Sequence, residues 1–482
     1  MSLDEVSLDT VLPGATATER ADGDAAVGVD YQLVEELRGR VSTRLAAEQR
    51  ELPASARREL TRQLIRDEYT QWVLHDAGRG RAAPDSDAEK RVFAAVLAEL
   101  DGLGRIAPLV GRDDVEDVHF EGCDPTVLRL RTGEFVDGPP IATSDDELIR
   151  VLRGIGARSG DGQSAREFSS AHPILNVRLR GVGPLGARLQ AAMDVLPRPA
   201  GVIRVHRLPD PSLEDLRGLG MIDTPMREFL THAVAAGASI LVSGNPGVGK
   251  TTVLRSLCNA IGFDNVVITV EDERELGLHL PRRDRVSGKL VRRFAVCRAF
   301  ESRMPNAEGR GGFGLGDALH EALRASPTRL ALGEVRGGYV MALLDAVTSG
   351  VSSVMCTIHS PTAEGLFDKV LIAALKATPP PPSELVMRSL ASLDLVVHVS
   401  RDRHYRRYVS GIYELGHVGD RAYPDFPALF APRPADGRAV AVGPGRLSTG
   451  LAERLDVVGF DAAGWLDPAR SDWVTPEAGV MW

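Results

Sequence analysis

Apolar positions along the chain keep a helical period at first, then a strand-like one, then an alternation of the two. From Tyr31 to about Asp76 they recur at helical spacing, with Leu33, Leu37 and Val41 on one face, then Leu60, Leu64 and Ile65. The stretch AGRGRAAPDSD breaks this pattern and reads as a linker. A further helix is predicted from Glu89 to Leu100, where Val92, Phe93, Val96, Leu97 and Leu100 share a face. Short β-branched or alternating runs follow. VEDVHFEG, TVLRLRTGEFV and VIRVHRL, bounded by Gly and Asp, predict strands, and SDDELIRVLRGIG predicts a helix among them. Beyond Met221 the two patterns alternate: strands at SILVSG, NVVITVED, RLALGE and SVMCTIH, and helices at TTVLRSLCNAIG, ALHEALRAS and GYVMALLDAVTSG. Such alternation predicts a mainly parallel sheet covered by helices. DLVVHVSRDRHYRRYVSGIYELG predicts a closing hairpin, and the Pro- and Gly-rich tail beyond Gly416 has no pattern that assigns it.

These breaks divide the 482 residues into five parts. Residues 1–28, rich in Ala, Gly, Asp and Thr, are predicted to be disordered. Residues 29–85 form a helical segment, 86–208 a small α+β domain, 209–416 an α/β domain, and 417–482 a C-terminal extension of unassigned role. RLPDPSLED reads as the hinge between the second and third of the larger parts.

Composition narrows the class. With 57 basic and 66 acidic side chains the net charge is -9, which disfavours a dedicated nucleic-acid binder, although a local basic patch leaves that partner open. Cys123, Cys258, Cys297 and Cys356 lie far apart with no CxxC pair, so neither a zinc site nor a disulfide framework is expected; Cys258 and Cys356 read as buried free thiols. The acidic N-terminus lacks the apolar core of a signal peptide, and no run approaches the roughly 18 apolar residues of a membrane span. A cytoplasmic protein is expected, with peripheral docking at the inner face of a membrane left open.

One motif carries chemistry at once. In SGNPGVGKTT, Gly244, Gly249, Lys250 and Thr251 satisfy the phosphate-loop pattern, with an apolar strand before and an amphipathic helix after. Gly244, Gly247 and Gly249 permit a turn that a Cβ would block, and Asn245, Pro246 and Val248 complete it. The backbone N–H groups of such a turn and the helix N-terminus through Thr252 point at phosphates. Lys250 supplies a charge for the β and γ oxygens, and the Thr251 hydroxyl is placed to ligate Mg²⁺. The expected ligands are therefore ATP and Mg²⁺. Hydrolysis also needs carboxylates, and open α/β sheets gather ligands at strand ends. Glu271 and Asp272 end VITVED, Glu334 ends RLALGE, and His359 ends SVMCTIH. Acidic residues at strand ends also serve as helix caps, and a lone His after an apolar run also serves as a structural residue.

Taken in order, the phosphate loop, VED, GEVRGG and TIHS resemble the Walker A, Asp box, Walker B and His box of the ATPases of type II and type IV secretion systems. The resemblance covers roughly residues 87–415 and is strongest toward the CpaF-like branch of Tad/Flp pilus assembly. DGLGRIAPLV, HPILNVRLR, VIRVHRL and ESRMPNAEGRGGFGLGDAL are similar to that branch's sequences. It implies a RecA-like phosphate-loop motor domain preceded by a PAS-like α+β domain and a helical segment, assembled as a homohexamer that drives an inner-membrane assembly protein. By the same resemblance Glu334 orients or activates the attacking water, Glu271 and Asp272 sit around Mg²⁺ and that water, and His359 senses the γ-phosphate. Arg178, Arg188 and Arg204 match arginines of the N-terminal domain, some of which reach the phosphates on domain closure, Arg188 foremost.

Departures from the family pattern keep other readings in play. Asn245, Pro246 and Val248 replace small polar residues of the loop, Gly333 stands where the commonest arrangement has Asp, and Thr357-Ile-His-Ser-Pro361 differs from the usual His box. An extra basic piece, LPRRDRVSGKLVRR, reads as a solvated hairpin or as a contact with a neighbour's nucleotide, an acidic partner or a nucleic acid. A motor of conjugation or partition and a nucleotide-gated adapter of weak hydrolysis are the alternatives to a pilus or secretion motor.

Overall fold

The computed structural model describes residues 29–474, apart from 49–53, 78–85, 159–165, 180–181, 183–185, 207–209, 285–286, 304, 306–309, 338 and 419–422. The expected disordered stretch 1–28 and most of the first linker lie outside the described residues. The chain divides into two compact units, Met1–Arg207 and Leu208–Trp482.

In the first unit, helices α1 (Tyr31–Glu48), α2 (Ala54–Ala77) and α3 (Ser86–Asp101) close on a small core of their own. Leu37 and Val41 of α1, Leu64 and Ile65 of α2, and Val92 and Val96 of α3 are all buried there. The helix expected to open the α+β domain thus packs with the two before it, because its apolar face meets theirs. A short α4 (Ala107–Gly111) leads into β1 (Val115–Glu121), β2 (Thr126–Leu130), β3 (Phe135–Gly138), α5 (Asp145–Arg158), β4 (Ile174–Leu179), β5 (Ala187–Ala192) and β6 (Ala200–Val205). The strands form one antiparallel sheet in the order β3-β2-β1-β6-β5-β4. Leu148, Leu152 and Ile155 of α5, one helical turn apart, seal one face of it.

The second unit opens with α6 (Leu213–Gly218) and α7 (Thr224–Ala235), then β7 (Ile240–Gly244), α8 (Lys250–Asn259) and β8 (Val266–Glu271). The basic insertion folds as a two-stranded hairpin, β9 (Arg282–Arg283) and β10 (Leu290–Val291), that exposes Arg282, Arg283, Lys289 and Arg292. It is anchored by buried Arg293, whose Nε donates to the Leu280 carbonyl at 2.8 Å and whose Nη1 donates to both Asn259 and Asp210. After it come β11 (Val296–Glu301), α9 (Leu315–Arg324), β12 (Arg329–Val335), α10 (Tyr339–Thr348), β13 (Val354–His359), α11 (Gly365–Ala374), α12 (Ser383–Leu390), β14 (Leu395–Arg401) and β15 (Arg407–Glu414). The strand order is β11-β8-β12-β13-β7-β14-β15, parallel from β11 to β14 and antiparallel after it, so the predicted closing hairpin is β14–β15. One strand, β13, lies between the phosphate-loop strand β7 and β12, the order of a RecA-like sheet. Helices α6, α7 and α8 cover one face and α9 to α12 the other.

The tail that sequence patterning left unassigned belongs to this unit. Strands β16 (Ala428–Pro432) and β17 (Ala439–Ala441) extend the sheet, and α13 (Thr449–Val457) and α14 (Ala462–Trp465) pack beside α7. Phe430 and Phe460 flank Phe229 of α7 at ring distances of 5.5 and 5.7 Å. The N-terminus of α7 is pinned to the same tail. Asp223 caps it, accepting from the Met226 N–H at 3.0 Å and the Ser471 hydroxyl at 2.9 Å. Burial pushes the Asp223 carboxyl up to about 6 from its ordinary 3.8. The unfolded chain releases that proton near 3.8 while the folded chain holds it, so this site's contribution to stability declines as pH rises through 6. Asp223→Asn keeps the cap acceptor and removes the titration. Thermal melts of the variant should therefore gain on wild type between about pH 4 and pH 7, by an amount on the order of 3 kcal/mol.

Among the described residues no helix is long and apolar enough to cross a membrane. Cys258 and Cys356 are buried free thiols, as their apolar surroundings in sequence predict.

Candidate nucleotide site

The loop between β7 and α8 has the backbone that its glycines predict. Gly244, Gly247 and Gly249 have φ of 150°, 74° and 94°. A Cβ on Gly244 would lie 2.4 Å from the Val399 carbonyl, so glycine there is a packing requirement as well as a conformational one. Val248 is buried in the core under α7 and α8 and holds the loop down, while Asn245, Pro246 and Gly247 stay exposed at its crest. Gly249 caps α8, and Lys250, Thr251 and Thr252 form its first turn. This is a concave ring of backbone N–H groups at a helix N-terminus, the geometry that favours a phosphate.

Lys250 folds back across that ring. Its Nζ donates to the Asn245 carbonyl at 2.9 Å and to Nδ1 of His359 at 2.8 Å. Nε2 of His359 lies 3.2 Å from Oε1 of Glu334. An ammonium can only donate, so Nδ1 is the acceptor and the neutral imidazole carries its proton on Nε2, aimed at Glu334. Burial lowers the Lys250 ammonium to about 8 from 10.5, with Glu334 acting in the opposite sense. The hydrogen bond from His359 is the largest cause holding the Glu334 carboxyl below its ordinary value. Lysine, histidine and glutamate thus form one connected chain from the loop to the next-but-one strand.

Sheet register explains why these three meet. His359 lies opposite Gly244 in the β13–β7 pair. Between β12 and β13, Leu332 faces Cys356 and Val335 faces Ile358, so Gly333 and Glu334 form a bulge. Bulges re-aim side chains beside active sites, and this one turns Glu334 toward His359. The Thr357 hydroxyl donates to the Gly333 carbonyl at 2.7 Å and holds the bulge. A Cβ on Gly333 would sit 3.1 Å from Cγ of Glu271, which accounts for glycine in place of the commoner aspartate.

The other two acids take different places from those expected. Glu271 is not an open carboxylate beside the loop: it is buried, and its Oε1 accepts from the Glu275 and Leu276 N–H groups at 3.0 and 2.8 Å. Desolvation pushes its carboxyl up to about 8 from its ordinary 4.5. Its contact with Gly333 makes it a support beneath the Glu334 bulge. Asp272 accepts from the Ser302 hydroxyl at 3.0 Å and pairs with Arg336, which ties the end of β8 to the turn after β12. Neither partner could be read from the sequence around VED.

In the first unit, Arg178, Arg188 and Arg204 lie in one cross-strand row, Arg178 opposite Arg188 on β4–β5 and Arg188 opposite Arg204 on β5–β6. Asp117 of β1 continues the row. Arg204 is committed to this buried aspartate, with Nε 2.7 Å from one carboxylate oxygen and a terminal nitrogen 3.1 Å from the other. Arg129 donates to the same carboxylate at 2.8 Å. Asp117 therefore answers Arg204 within the sheet.

A glycine cradle, a buried lysine and a bulge-borne glutamate bridged to that lysine by histidine define a phosphate-loop ATPase. Residues 173–393 match the family described as Type II/IV secretion system protein. The match runs from the start of β4 past His359, so it includes all three arginines and the whole loop cluster. A putative conjugal transfer protein of Mycobacterium tuberculosis is 29% identical over 381 residues, 77% of this chain and 94% of the relative. The type IV secretion system protein PtlH of Bordetella pertussis is 32% identical over 198 residues, 41% of this chain and 52% of the relative. Among solved structures, the Legionella pneumophila ATPase DotB matches with 16% identity over 66% of this chain and 79% of that chain, at a TM-score of 0.43.

Proposed function

We propose that this chain is the ATP-hydrolysing motor of a type II/IV secretion or Tad/Flp-type pilus assembly system. It acts as a homohexamer at the inner face of the cell membrane and drives a membrane-embedded assembly partner. The observation that carries this reading is the Lys250–His359–Glu334 chain at the edge of the phosphate loop. The donor set fits Mg·ATP: the loop offers N–H groups and an ammonium to the phosphates, and the Thr251 hydroxyl is an oxygen donor of the kind Mg²⁺ takes alongside phosphate oxygens. When bound, Mg²⁺ supplies charge neutralisation between the β- and γ-phosphates.

The chain's own residues do the rest. Lys250 is held by His359 and Asn245 until an anion in the loop competes for its ammonium. Once Lys250 turns to that anion, Nδ1 of His359 loses its donor, and the imidazole is free to follow Glu334. Glu334, kept ionised by its surroundings, accepts a proton from the attacking water and orients it. His359 so links occupancy of the loop to the base, which is a physical form of γ-phosphate sensing. Asp272, held by Arg336 and Ser302, would be the carboxylate to join the Thr251 hydroxyl in holding Mg²⁺. Arg188 and Arg178 are, by the resemblance, the arginines we propose as the clamp on developing phosphate charge. Likeness of HPILNVRLR and ESRMPNAEGRGGFGLGDAL to CpaF-like sequences supports the Tad/Flp assignment.

The full chain should release phosphate from ATP only with Mg²⁺ present. Arg188→Ala should lower kcat by roughly tenfold to a hundredfold, in line with loss of one charged transition-state contact, with the melting temperature little changed. An unaltered kcat would remove Arg188 from the clamp. The relative named for conjugal transfer and the exposed basic hairpin favour a second reading, a nucleic-acid-linked motor. Stimulation of turnover by DNA, lost steeply with salt, would select it over the pilus reading.

A further inference from the structure

The β14–β15 hairpin rises beside the phosphate loop, and its first β15 residue is placed to act there. β14 pairs in parallel with β7, with Val399 opposite Gly244, and then runs on through Ser400 and Arg401. Arg407 faces Arg401 across the hairpin. Arg407 therefore stands two residues, or about 7 Å, beyond the point where the loop leaves its strand. That is the height of the phosphate turn.

Its side chain lies on the correct face. Side chains alternate along a strand, and Val409, two residues on, is buried in the core shared with Met221 and α8; its N–H donates to the Met221 carbonyl at 2.8 Å. Direct packing agrees with this. A Cβ placed on Gly249 would lie 3.4 Å from Cδ of Arg407 and 3.5 Å from Cε of Met221. The arginine stem thus runs against the very residue that caps α8, and the guanidinium is two bonds further on.

The start of β15 is also rigidly set. Asp402 accepts from the His404 N–H at 2.8 Å, the Arg406 N–H at 3.0 Å and Nε of Arg406 at 2.7 Å. This clasp fixes the turn and so fixes where Arg407 emerges. Charge gives the reason for a second cation. Lys250 is matched by Glu334, so the site as folded is close to neutral, while a nucleotide triphosphate brings several negative charges.

We infer that Arg407 is a phosphate-contacting residue of the nucleotide site, a cation supplied by the motor unit itself that grips the polyphosphate of ATP or ADP beside the N-terminus of α8. This rests on the reading that the loop binds ATP. Its planar fork suits phosphate oxygens, which a bare ammonium cannot match in geometry.

The test uses the full chain and equilibrium binding of ATP, ADP and adenosine with Mg²⁺. Arg407→Gln keeps the stem against Gly249 and removes the charge, and Arg407→Lys keeps stem and charge without the fork. The expected result is an ATP and ADP affinity lowered about tenfold to a hundredfold by Arg407→Gln and partly restored by Arg407→Lys. Adenosine binding should be unchanged. KM should carry more of the loss than kcat, and the melting temperature of the apo chain should hold. Equal ATP affinity in wild type and Arg407→Gln overturns the inference, as does an equal loss for adenosine, which would mark a structural role. If wild type itself fails to bind ATP, the nucleotide reading fails instead, so the two failures are distinguishable.

Discussion

Lys250→Ala should abolish measurable turnover and weaken ATP binding by roughly a hundredfold, the loss expected when a charged hydrogen-bond donor to phosphate is removed. Lys250 is buried, and it is the residue through which the loop reaches His359. The apo fold should survive the change. Burial already disfavours the ammonium, as its lowered ionisation near 8 shows. Alanine removes a desolvated charge, whereas the loop's shape is set by its glycines and by Val248. Binding measured by calorimetry, with a thermal melt of the same sample, separates the two effects. Wild-type affinity in the alanine variant would place the phosphates somewhere other than the loop.

Glu334→Gln should produce the complementary defect. The amide can still accept from Nε2 of His359, so the bulge and the histidine stay in place. It cannot take a proton from water. We expect kcat to fall by about a thousandfold, within the range for loss of a general base, with ATP affinity kept. A variant that holds ATP without turning over is the signature of a residue acting in the transition state. Under the adapter alternative, wild type and variant would be equally slow, and the altered His box would be its cause. The intact hydrogen-bond chain through His359 speaks against that.

How much of this could be read in advance depends on how local the determinants are. The loop could, because glycine, lysine and threonine at fixed spacing between a strand and a helix are a local requirement of phosphate binding. The parallel sheet could, because its buried strands and amphipathic helices alternate in sequence. Glu334 could be named, but its direction could not: that depends on a bulge defined only by pairing with β13. Glu271 reads in sequence like any acid at a strand end. Only the fold shows that the Glu275 and Leu276 amides enclose it and that it lies against Gly333. Arg204 found its partner 87 residues away. In the tail, single aromatics such as Phe430 and Phe460 provide the packing, and isolated residues leave no period to detect.

The most direct test of the central claim is phosphate release from Mg·ATP by the full chain, measured side by side for wild type and Glu334→Gln with bound ATP quantified in both. The connected lysine, histidine and glutamate predict steady release by wild type, and a variant saturated with ATP that releases almost none. Equal rates from the two proteins, or no release from either at saturating ATP, would contradict it.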